Sequence, residues 1–352
     1  MMNKPQQKNK SSAVFLIVVF AAVVILMFIA SIHSGNVQTI NMPLNNGIVA
    51  LLTYNNLLGA VSNDNKIYVW NWADLSKKYR EYSVEPGEVA FAAPNTIVSV
   101  KQTNPDCLVV SGFDANSESK KIPLTLTANT AHLSASLDGS KIILLLERGG
   151  KDNGERITYD LLEVLLDREQ VQPITAITSE KSKLEHFSVS DDGRYIVAVG
   201  DKNEHGWLFV VDTKEKKTLW QKELPDFRKF HKGVFSKDGE IIYLRGSNSV
   251  LTLVKTDSGE ISDSWMPTKE SKYTYRTQQT QAVVISNDGG LVAAVVGGDI
   301  FAWDTKTREK YDIIGGGQKV LSSIAFSPDA KFIATSDMRQ GGNIKIVRVP
   351  HR

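Results

Sequence analysis

From Ile48 to Val349 short apolar runs alternate with polar turns that carry Gly, Asp, Asn or Ser. The pattern is fullest in Ser190-Asp-Asp-Gly-Arg-Tyr-Ile-Val-Ala-Val-Gly200, which continues through Gly206-Trp-Leu-Phe-Val-Val-Asp212-Thr-Lys-Glu-Lys-Lys217-Thr-Leu-Trp220. An Asp-Gly turn, an apolar run, a polar loop, a second apolar run, a charged turn and a third run predict a meander of antiparallel strands. The turn and the run after it return as Ser136-Leu-Asp-Gly-Ser-Lys-Ile-Ile-Leu, Ser236-Lys-Asp-Gly-Glu-Ile-Ile-Tyr, Ser286-Asn-Asp-Gly-Gly-Leu-Val-Ala and Ser327-Pro-Asp-Ala-Lys-Phe-Ile-Ala. Seven units fit, with first strands starting near Ile48, Glu88, His132, His186, Lys232, Gln281 and Ser322. Their spacing of about 40 to 55 residues is that of propeller blades. In the first two units Leu57-Leu-Gly-Ala-Val61 and Thr96-Ile-Val-Ser-Val100 stand for the second strand, with no Ser-x-Asp-Gly turn before them.

The last unit supplies three strands, and Asn36-Val-Gln-Thr-Ile-Asn-Met42 is a lone strand-like run ahead of the first. Pairing residues 36–42 with the strands of 322–349 completes a seventh blade and removes the edge that an open array would expose. The expected fold class is all-β: a seven-bladed β-propeller of four-stranded antiparallel blades over residues 36–350. The chain resembles the WD-repeat propellers through its Ser-x-Asp-Gly turns and through Trp303-Asp304, with Val211-Asp212 as an echo; the Gly-His signature of that family is absent. The resemblance covers nearly all of the chain after the first apolar segment and implies a protein-binding scaffold.

That segment, Ala13 to Ala30 (AVFLIVVFAAVVILMFIA), is unbroken apolar. Its length is about what a bilayer core requires, so a transmembrane helix over 13–32 is expected. Lys4, Lys8 and Lys10 precede it with no acidic residue, and no Lys, Arg, Asp or Glu follows until Asp64. The positive-inside rule then places residues 1–12 in the cytoplasm and the propeller on the extracytoplasmic side, periplasmic or cell-surface, with the inverted arrangement as the alternative. A cleaved signal peptide fits less well, because the run is long and Ile29 or Ile32 occupies the minus-three position of the nearest small-residue sites.

Composition narrows the function. Lys plus Arg total 41 against 39 acidic residues, a net charge of +2, and the basic residues share their turns with acids, which argues against a nucleic-acid partner. Cys107 is the single cysteine and reads as a small partly buried side chain. No Gly-x-Ser-x-Gly elbow, phosphate-binding loop or Cys/His metal spacing is present. The Asp-rich turns are explained as hairpins on separate blades, so they do not form a calcium site. His132, His186 and His231 stand at the starts of successive first strands, close to the central channel; equivalent positions on neighbouring blades are too far apart for metal bonds of about 2.0 to 2.1 Å, so hydrogen bonding is the expected role. No cofactor and no metal are expected. Val211 to Trp220 also looks like a blade of the quinone-dependent dehydrogenase propellers and their non-enzymatic relatives in outer-membrane assembly, where a tryptophan docks adjacent blades; other units lack the tryptophan or offset it, as in Asp257-Ser-Gly-Glu…Trp265.

In such a propeller the first-to-second and third-to-fourth turns share one face, the bottom, and the other connections share the top. The bottom turns are short and charged, and read as solvated hairpins. The longer, more varied loops fall on the top, where binding residues concentrate on a rigid scaffold. There Phe227, Arg228, Phe230, Tyr273, Tyr275 and Arg276 combine aromatic area with guanidinium donors, the residue types that dominate interface energetics, and they are the candidate partner-binding residues. Expected overall is a membrane-anchored, non-enzymatic propeller that binds a protein partner at its top face. The alternative is a redox or hydrolytic enzyme, or a small-ligand sensor, with its site in the channel.

Overall fold

The computed structural model describes residues 37–40, 47–93, 95–113, 119–136, 138–149, 156–227, 230–246, 251–265, 283–296, 299–313, 321–337 and 343–349. Each apolar run forms a strand, and the turns join consecutive strands. The strands are β1 (Val37–Ile40), then β2 (Ile48–Tyr54), β3 (Leu57–Ser62), β4 (Lys66–Asn71) and β5 (Arg80–Ser83), then β6 (Gly87–Ala92), β7 (Thr96–Lys101), β8 (Cys107–Gly112) and β9 (Lys120–Pro123). There follow β10 (Thr130–Ala135), β11 (Ile142–Arg148), β12 (Arg156–Leu165) and β13 (Gln170–Glu180), then β14 (Ser182–Val189), β15 (Tyr195–Lys202), β16 (His205–Asp212) and β17 (Lys217–Leu224). The chain continues with β18 (Phe230–Phe235), β19 (Ile241–Gly246), β20 (Leu251–Lys255) and β21 (Ile261–Trp265), then β22 (Val283–Ile285), β23 (Leu291–Val296), β24 (Asp299–Asp304) and β25 (Lys310–Ile313), and ends with β26 (Leu321–Phe326), β27 (Phe332–Asp337) and β28 (Ile344–Arg348).

Among the described residues these make seven four-stranded sheets: six meanders, β2 to β5 through β22 to β25, and a seventh of order β1–β28–β27–β26. Residues 39–352 form one compact unit, which begins within β1. The expected cytoplasmic segment 1–12 and transmembrane helix 13–32 lie outside the described residues, among which no helix is long and apolar enough to cross a membrane.

The recurrent turn folds by the same bonds in five blades. The hydroxyls of Ser136, Ser190, Ser236, Ser286 and Ser327 donate to Asp138, Asp192, Asp238, Asp288 and Asp329 at 2.5 to 2.7 Å. Each hydroxyl also accepts the N–H that opens the second strand, from Lys141, Tyr195, Ile241, Leu291 or Phe332 at 2.9 to 3.0 Å. The turn needs a left-handed residue after the aspartate, which Gly139, Gly193, Gly239 and Gly289 supply with φ of 67 to 72° and which Ala330 must adopt at φ 57°. In the first two blades Asn55 and Asn95 take the left-handed position instead, at φ 48° and 47°. Burial raises the Asp138 and Asp329 carboxyls, but hydrogen bonds from the serine and the backbone outweigh it and hold both below the ordinary value. Ser190 is buried, so Ser190→Ala orphans the Tyr195 N–H and removes a donor from Asp192. The expected cost is about 2 kcal/mol, read from urea unfolding at pH 7.

The aspartate of the Trp-Asp dipeptide caps the next bottom turn. Asp304 accepts the N–H groups of Lys306 and Thr307, and Asp212 those of Lys214 and Glu215. Thr213 and Thr305 then donate to the carbonyls of Gly193 and Gly289, tying the two bottom turns of a blade together. Between blades the core is apolar, as in the cluster of Tyr159, Leu161, Phe187, Ile196, Trp207 and Phe209 that joins the third and fourth meanders. Trp220 docks the fourth meander on the fifth: its indole N–H donates to the Thr256 carbonyl at 2.7 Å, and its ring covers Gly259, where a Cβ would come within 2.9 Å of it.

Candidate functional site: the central channel

The first strands β2, β6, β10, β14, β18, β22 and β26 surround a channel of about 520 Å³. Its top end is shaped by register breaks. In β2, β14, β18 and β26 the register skips one residue, Val49, Glu185, His231 and Ser322 respectively. Such bulges re-aim the side chains around them. At the break in β14 the strands close so tightly that a Cβ on Gly200 would lie 1.9 Å from the Lys183 carbonyl oxygen.

Past the bulges the blades fall into step. His132 pairs with Leu145, His186 with Val199, Lys232 with Arg245 and Ser323 with Ser336. Each stands four residues before its turn serine, so these positions are equivalent around the ring. Ser323 is used to join blades, its hydroxyl accepting the Leu51 N–H at 2.9 Å. The equivalent residues His132, His186 and Lys232, with Glu88 on β6, line the channel wall over four successive blades.

Glu88 lies 3.4 Å from His132 Nδ1, and the His132 ring stands edge-on to Phe187 at 6.5 Å. His186 Nδ1 is shielded from solvent without a hydrogen-bond partner. Burial keeps His186 neutral, well below the ordinary imidazole value, and the charges of Lys232 and His132 push the same way. Burial also pushes the Lys232 ammonium down to about 8, against the pull of Glu88. Close by, Glu147 is raised by burial despite His132 and Lys183, and Lys183 pairs with Glu185 at 3.2 Å.

The opposite end is acidic. Asn55, Asp138, Asp191 and Asn287 border a hollow of about 280 Å³ there. Burial raises Asp191 to about 6, Lys237 opposing and Asp192 and Asp138 adding to it. Among the described residues no group of three or more His, Cys, Asp or Glu is placed to hold a metal ion. Burial raises the Cys107 thiol, which leaves it a poor nucleophile.

The sequence candidates separate accordingly. His132 and His186 come together at the channel top. The third member of their register is Lys232, because His231 falls in the bulge; counting four residues back from each turn serine would have found it. Phe227 and Phe230 are corrected: both are buried, stacked on each other at 5.1 Å in the core that joins the fourth and fifth meanders, and offer no surface to a partner. Their reason is Gly206, whose missing side chain lets the Phe230 ring within 2.5 Å of an ideal Cβ. Arg228, Tyr273, Tyr275 and Arg276 lie outside the described residues.

No family model matches the chain, and no curated protein matches it in sequence. Among solved structures it is similar to the β-propeller domain of Cps50 (Swd1) from Myceliophteria thermophila, with a TM-score of 0.63 at 11% identity over 89% of this chain and 99% of that one. The chain is a seven-bladed β-propeller. At that identity the likeness is one of fold, and function must be argued from surfaces.

The two shifted bases set a pH signature. His186 is depressed when folded, so the unfolded state binds the extra proton and stability falls as pH drops below about 6.5. Lys232 releases its proton near pH 8 when folded and near 10.4 when unfolded, so stability rises across that window by about 2 to 3 kcal/mol. Urea midpoints at pH 7.5 and 9.5 should therefore rise with pH more in the wild type than in Lys232→Met.

Proposed function

We propose that this protein is a membrane-anchored propeller that holds a protein partner on its top-face loops, as a scaffold or assembly factor, with binding rather than chemistry as its task. The supporting observation is the contrast between the two faces. In five blades the first-to-second turn on the bottom face repeats one clamped design. The top connections range from Lys181 alone between β13 and β14, through Asn203-Glu204, to residues 266–282 between β21 and β22. Variable loops on a fixed ring are the usual arrangement for recognition. The uncharged run Ala13 to Ala30 and the lysines before it supply the anchor, with the propeller on the extracytoplasmic side.

A photo-crosslinking amino acid at Tyr273, with Lys216 on the bottom face as control, tests the reading in native membranes. A discrete protein adduct from Tyr273 alone is the expected result. Capture from neither position, or equally from both, would refute a top-face scaffold.

A further inference from the structure

The top of the channel carries a charge that the described protein does not neutralise. Among the described residues Lys232 has no hydrogen-bond or ion-pair partner in the channel wall. Glu88 is the acid whose field it feels, yet Glu88 is turned to His132 at 3.4 Å. A partly desolvated ammonium without an acceptor is unfavourable, and its ordinary remedy is a counter-charge. Beside it His186 is neutral, and the tautomer follows from its surroundings. An N–H at the shielded Nδ1 would be a donor with nothing to accept it, so the proton sits on Nε2, the nitrogen that is not shielded. Two donors on adjacent blades, one charged and one neutral, thus line the same end of one cavity.

We propose that the channel top is a binding site for a small monocarboxylate, its two oxygens bridging the Lys232 ammonium and the His186 Nε2–H and its apolar body lying along Val89, Leu133 and Val234. Charge selects the monoanion. Among the described residues of the channel wall Lys232 is the one lysine or arginine, while Glu88 and Glu185 line the same wall, so a second negative charge on the ligand meets repulsion. The cavity, about 520 Å³, is in the size range of small-molecule sites, and its wall offers polar and apolar surface alike.

Calorimetric titration of the full chain in detergent at pH 7, with sodium benzoate against sodium chloride at matched ionic strength, tests the site. Saturable binding is expected below about 50 mM, the range that a few favourable contacts reach. Lys232→Met should weaken it by about tenfold or more and His186→Phe should also weaken it, while Lys232→Arg retains it. Because Lys232→Met removes a desolvated charge, its unfolding midpoint at pH 7 should equal or exceed the wild type's, which separates lost binding from lost fold. No saturable heat with benzoate, or binding that Lys232→Met leaves unchanged, overturns the site. Inorganic phosphate binding more tightly than benzoate overturns the monocarboxylate assignment.

Discussion

Trp207→Ala should lower stability by about 3 to 5 kcal/mol, the largest single-residue effect expected in the chain. The indole is fully buried between the third and fourth meanders and packs on Tyr159 at 5.5 Å and Phe209 at 5.2 Å. Truncation leaves a cavity that two aromatic neighbours and their strands cannot fill without moving a sheet. Trp207→Phe should cost far less. The Trp207 Nε1 is buried without a hydrogen-bond partner, so the phenyl ring forfeits no bond and relieves an unsatisfied donor. Urea unfolding of both variants at pH 7 separates the two effects: a Phe variant as damaged as the Ala variant would mean that the indole nitrogen, not the ring volume, matters.

Deleting residues 36–42 should be as damaging, by about 3 kcal/mol or more, and should cause aggregation. The deletion removes β1, the fourth strand of the sheet of order β1–β28–β27–β26. Without it β28 becomes an open edge, a template for pairing with other chains. A replacement of 36–42 by Gly and Ser at equal length should behave almost as badly, since a flexible segment forms a strand poorly. An unchanged melting temperature in both variants would show that the seventh sheet is complete without β1.

Much of this architecture was legible because its signal is local. A serine, an aspartate and a left-handed residue within four positions make their own bonds, so the turn can be read wherever it is written, even at Ser327-Pro-Asp-Ala330. The site was legible only in part, since it depends on register, which neighbouring strands settle together. His231 and Lys232 are adjacent in sequence; the bulge after Phe230 decides which of them joins His132 and His186. Phe227 and Phe230 misled for a related reason. They flank a loop with no period to mark a buried side, and only the space left by Gly206 on another strand shows that their rings turn inward.

The bulges divide the labour between the two ends of a blade. In five blades the serine turn sets the phase of the first strand from the bottom, and in β14, β18 and β26 the bulge at the top absorbs surplus length before it reaches the channel. A loop on the top face can therefore be lengthened, shortened or exchanged while the residues four positions above each serine stay where they are. In a lineage or a designed library, the surface that meets other molecules and the lining of the channel would be free to vary separately.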